Sequence, residues 1–188
     1  APSLKRCLAR SSNPAVWVIS RGWIAAGSLA LTGCSPALNW REVRLEPSAL
    51  VAMLPCKPDQ GTRTVLLAGQ NLSMHMMGCE ADSATFAVSY VDLPDATQAA
   101  AVQAQWQTAM LGNMRATQDR QSPLNIQGVL GAASAVQLQA QGTQPDGRAV
   151  MAQGVWFVRG AQVFHAVMYA TKVNPEAADA FFTGFRLQ

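Results

Sequence analysis

The chain has 188 residues, 49% of them hydrophobic and 13% charged, with a formal net charge of +3. That length and apolar content suit one domain with a true core. They do not suit a nucleic-acid partner, which calls for a clustered basic face, because the basic residues beyond the N-terminal third are scattered along the chain.

The first third reads as an export signal. Lys5, Arg6, Arg10 and Arg21 come with no acidic residue, and a short apolar run from Gly22 to Leu31 follows. A membrane span needs ~20 apolar residues, so this run is too short. A basic stretch, a short apolar stretch and then small residues make a secretory signal. The true translation start is expected either near Arg21 or before Ala1. The small residues are Leu31-Thr32-Gly33-Cys34, which resemble the lipobox of bacterial lipoproteins. The resemblance implies that residues 1–33 are removed and that Cys34 becomes a lipidated N-terminus. More than one acyl chain on that cysteine would anchor the protein stably. Ser35 resembles the family default for transfer to the outer membrane, facing the periplasm. Cleavage would leave ten basic against eleven acidic residues, a near-neutral domain with no nucleic-acid character.

Of the four cysteines, Cys7 lies in the signal and Cys34 in the lipobox. Cys56 and Cys79 remain. Outside the cytoplasm such a pair is expected as a structural disulfide. Their spacing is far from the C-x-x-C arrangement that activates a thiol.

In chain order, residues 34–48 read as a tether with one short extended piece, and 49–188 as a single domain. Ala49 to Leu54 is an apolar run stopped by Pro55, a buried strand or one helical turn. Lys57 to Gly61 is turn-like. Arg63 to Leu67 and Leu72 to Met77 read as strands separated by Gly69-Gln70-Asn71, and Gly78 to Ser83 reads as a further turn. Thr85 to Leu93 alternates, with Phe86, Val88 and Tyr90 on one face, which is the period of a strand. Pro94 and Asp95 open a helix, whose stripe of Val102, Trp106, Met110 and Met114 is core at helical spacing. Gln118 to Gly131 reads as a loop. Ala135 to Gln141 alternates again, Pro145-Asp146-Gly147 is a turn, and Ala149 to Arg159 pairs with Gln162 to Thr171 through Gly160-Ala161. Asn174-Pro175-Glu176 starts a last helix, with Phe181, Phe182 and Phe185 toward the sheet. Strands, helix, strands, helix predict an α+β domain with an antiparallel sheet.

From Ala49 onward the pattern resembles the PsbP-like fold. The features that carry it are the apolar strand ending at Pro55 and the strand Thr85 to Leu93 running into Pro94 and a helix. The hairpin Arg148 to Ala170 and the ending Ala177 to Arg186 carry it too. Members of that group act mostly as non-catalytic partners: a photosystem extrinsic subunit, a regulator of a nuclear transport GTPase, and many bacterial lipoproteins. No site residue transfers from them, and the Cys56/Cys79 pair is not a general feature of the fold.

Catalytic motifs are sparse. There is no P-loop, dinucleotide fingerprint, zinc signature or G-x-S-x-G. Met74, His75, Met76 and Met77 before Cys79 are soft copper(I) ligands. Strand alternation, however, sets Met74 and Met76 on one face and His75 and Met77 on the other, so core filling is the expected role. His165 would need an orienting acid and a nucleophile, for which the sequence offers Ser83, Ser89 and Asp92; a structural role is expected. No metal or other cofactor is expected. The expected function is a lipid-anchored envelope binding or structural module that contacts another envelope protein. The rival is a small hydrolase or copper-handling periplasmic protein using His75 and His165.

Overall fold

A computed structural model describes residues 37–124, 126 and 135–188. The signal, the lipobox with Cys34, Ser35 and the stretch 127–134 lie outside the described residues. Those described form ten strands and two α-helices in a mixed α+β arrangement.

Seven strands build one antiparallel sheet from two meanders. The first contains β3 (Asp59–Leu67), β4 (Gln70–Ala81) and β5 (Ala84–Asp92). The second contains β6 (Gln118–Pro123), β7 (Ala135–Thr143), β8 (Ala149–Arg159) and β9 (Gln162–Ala170). They join side by side through β5 and β9, in the order β3-β4-β5-β9-β8-β7-β6. The hairpin loops are short. Ala68-Gly69 and Asp82-Ser83 both have positive φ at both positions, the twist that two-residue hairpins favour.

Several expectations about this sheet need correcting: Asp59 to Gly61, read as part of a turn, open β3 and pair with Met76 to Gly78, and Gln70-Asn71 already belong to β4. The segment Gly78 to Ser83 is not a turn as far as Ala81: β4 runs straight through Gly78 and Cys79. Gly78 serves close packing instead, since a Cβ there would lie 2.8 Å from the Phe86 carbonyl oxygen and 3.2 Å from the Ala87 Cβ. The expected loop from Gln118 begins with β6, which pairs with β7 from Gln118↔Gln141 to Pro123↔Val136. Its polar composition hid it, because an edge strand draws its order from the ladder more than from its own side chains.

The helices cover opposite faces. Ahead of the first, the Asp95 Oδ1 accepts from the Thr97 N–H at 2.8 Å. A 3-10 turn at Ala96–Gln98 leads into α1 (Ala99–Asn113). Val102, Trp106 and Met110 of α1 pack with Met74, Val91, Trp156 and Val163. Asn174 caps α2 (Pro175–Thr183), its Oδ1 accepting from Glu176 and Ala177. Phe181 and Phe182 of α2 pack with Phe86, Phe157, Phe164 and Met168 on the other face.

That second face is also closed by a small sheet of β1 (Arg41–Arg44), β2 (Leu50–Leu54) and β10 (Arg186–Leu187), in the order β1-β2-β10. The short extended piece expected within 35–48 is β1. It belongs to the fold, not to a spacer, and the turn after it is held by buried Leu45 and Ser48. Cys56, just past β2, is bonded to Cys79 of β4, with Cα atoms 6.0 Å apart. This bond ties the small sheet to the large one beside the open edge of β3.

Candidate ligand-binding cleft

Beneath the C-terminal half of α1 the sheet is not fully covered. A cleft of about 600 Å³ opens there, between α1 and the strands β3, β4, β5 and β9. Alternation decides what lines it. Met74 and Met76 of β4, Ala87 and Ser89 of β5, and His165 and Tyr169 of β9 all face α1. The helix contributes Trp106 and Met110, with Ala109 and Asn113 at the mouth. Asp59 and Arg63 on exposed β3 are the charged residues on the rim.

Ser89 and His165 are the polar part of the floor and face each other across the β5–β9 ladder. Both are 6% exposed. The Ser89 hydroxyl donates to the His165 backbone carbonyl at 3.4 Å, a long bond. The imidazole is stacked on Trp156, with centroids 4.4 Å apart and planes 16° apart, and it meets Trp106 at 5.2 Å. Its Nε2 lies over Gly154 of β8 and is buried without a hydrogen-bond partner among the described residues. Burial without a compensating charge drives its pKa down to about 3, because desolvation penalises the charged ring. His165 is therefore neutral at physiological pH. Tyr169, also desolvated, has its pKa raised.

The other candidates separate. His75 projects from the opposite face of β4, where it stacks on Tyr90 at 4.9 Å with planes 12° apart. Its Nδ1 lies 3.2 Å from the Thr62 hydroxyl. The two histidines thus occupy opposite faces of one sheet and share no cleft. Ser83 sits exposed in the β4–β5 turn, and Asp92 accepts from Gln162 Nε2 at 2.7 Å. Among the described residues no carboxylate is hydrogen-bonded to the His165 ring, and no group of three His, Cys, Asp or Glu gathers as a metal-ligand set. Met74 and Met76 do share a face, but the third thioether beside them comes from Met110 of α1, not from their own strand.

Trp106 and Met110 were legible as a core stripe. They do pack on the sheet, but they also line the cleft, and nothing in a helical period separates the two roles. Tyr169 carried no signal beyond strand alternation.

No known family model matches the chain, and no curated protein is similar to it. A solved structure of a Pseudomonas aeruginosa protein of unknown function is similar at 20% identity, over 73% of this chain and 85% of that chain, with a TM-score of 0.33. A likeness that loose carries no argument about site or function.

Proposed function

We propose that this protein is a lipid-anchored binding module of the cell envelope, held through Cys34 to the outer membrane and facing the periplasm. It contacts another envelope protein and carries no catalytic centre of its own. The observation that carries the binding role is the open cleft under α1, whose volume falls in the range of ligand sites. Three further features fit the address: the lipobox pattern at Leu31 to Cys34, the short apolar run before it, and the Cys56–Cys79 disulfide, which persists in oxidising compartments. A PsbP-like reading of the fold agrees with a strand ending at Pro55, β5 running through a capped 3-10 turn into α1, and a final aromatic helix on the sheet.

Two measurements test this. Wild-type protein should fractionate with the outer membrane, whereas Cys34→Ala should be unprocessed or soluble; unaltered membrane association would sink the anchor. A photo-reactive residue at Leu66, 65% exposed beside the cleft, should cross-link in cells to one envelope protein, and that protein should recover this chain when purified itself. Absence of any such reciprocal pair would overturn the contact.

A further inference from the structure

Three physical properties of the cleft under α1 narrow its occupant. Its walls are soft: Met74, Met76 and Met110 present flexible, polarisable thioethers beside the Trp106 ring. Such a lining adapts to a flat or chain-like apolar body. Its floor is polar but uncharged. The Ser89 hydroxyl makes only the long bond at 3.4 Å, while His165 Nε2 lies over Gly154 of β8, outside the cleft lining, so Ser89 is the polar group a ligand can meet. A buried hydroxyl held by one long bond leaves hydrogen-bonding capacity that a ligand group can use. The third property is where charge is missing. Asp59 and Arg63 stand at the rim on exposed β3, while the floor offers no counter-charge. An ionised ligand group would be desolvated there without compensation.

We propose that the cleft binds an uncharged lipophilic small molecule with a single hydrogen-bonding group. Its apolar body lies on Met74, Met76, Trp106 and Met110, and its polar group is directed to the Ser89 hydroxyl, with the His165 ring beneath it. The proposal rests on the reading of the chain as a binding module and names the chemistry of what that module takes. The Ser89 hydroxyl can either donate or accept, so a hydroxyl and a carbonyl are both served.

The test is calorimetric titration of the full chain carrying Cys34→Ala, prepared without detergent, with 1-naphthol and with naphthalene as the comparator. Saturable one-to-one binding of 1-naphthol is expected, about fivefold to tenfold tighter than naphthalene, the worth of one hydrogen bond. Ala109→Trp places a ring at the exposed mouth, outside the core, and should weaken both compounds about tenfold or more while circular dichroism and melting stay unchanged. Ser89→Ala removes the hydroxyl and adds no bulk, so the preference for 1-naphthol should disappear. If that variant does not fold, Ser89→Thr, which keeps the hydroxyl, should retain the preference while Ser89→Val, of the same shape without it, should lose it. Absence of saturable binding, or binding indifferent to Ala109→Trp, overturns the proposal. So does tight stoichiometric copper(I) binding that excludes 1-naphthol, which would make the thioethers a metal site. If 1-naphthol fails while the reciprocal cross-link from Leu66 persists, the small-molecule assignment falls and the binding module stands. If both fail, both readings fall.

Discussion

On the face toward α2, the central sheet is filled with rings. Phe86 meets Phe181 edge-on at 5.3 Å, Phe157 stacks on Phe164 at 4.9 Å, and Phe181 contacts both Phe182 and Phe185. A second sheet and a disulfide close that side. On the face toward α1, thioethers replace most of the rings, one helix does the covering, and a cleft remains over a buried histidine. The same seven strands therefore support a sealed face and an accessible one. The difference teaches that stability is concentrated where aromatic packing is complete, and that a face covered by one helix is left with an accessible cleft.

Truncation tests that contrast most severely. Phe181→Ala should destabilise the fold by about 3–5 kcal/mol, as large aromatic deletions in sealed cores do. Met76→Ala, partly buried beside the cleft, should cost less than half as much. Equal losses in chemical denaturation would erase the distinction between the faces. The next largest effect belongs to the clasp on the sealed side. Cys56→Ser with Cys79→Ser should lower stability by about 3 kcal/mol, the chain-entropy value for a loop of this length. Denaturant midpoints of the oxidised wild type and the double variant measure it.

The open face should show itself through pH. His165 has a folded pKa of about 3 against an ordinary 6.5, so between those values the unfolded chain binds the extra proton. Its contribution is fully present above pH 6.5 and is lost as pH falls toward 3. From pH 6.5 to 5, wild type should lose about 1.5 kcal/mol relative to His165→Phe. Parallel stability curves for the two proteins in that window would show that the ring is not buried as described. The smallest effect concerns α2. Asn174→Ala removes a cap from two backbone N–H groups and should cost about 1 kcal/mol. A much larger loss in thermal melts would mean that α2 depends on its cap more than on its phenylalanines.

Local structure was largely legible from residue order. Alternation at Phe86, Val88 and Tyr90 marked β5, Gly160-Ala161 marked the β8–β9 hairpin, and Asn174-Pro175-Glu176 marked the start of α2. Gly78 misled because a glycine that ends a strand and one that admits a neighbouring backbone look alike in one dimension. The two residues of β10 form a strand only because β2 lies beside them. The cleft was not legible for a related reason. Met76, Met110 and His165 come from three elements, and only tertiary pairing brings their faces together. Alternation correctly separated Met74 and Met76 from His75, yet could not say which other residues would join either set.

The junction of the two meanders has a kinetic consequence. Ser89 and His165 are partners in the central ladder but lie 76 residues apart along the chain. Closing so long a loop is entropically expensive before any contact rewards it, and folds dominated by distant pairings form slowly. Until β9 arrives, β5 is an unguarded edge carrying Val88, Tyr90 and Val91, an apolar template for pairing with other chains. The last strands made are thus the ones that shield the middle of the sheet, and a nascent chain stalled before residue 162 would be its own aggregation hazard.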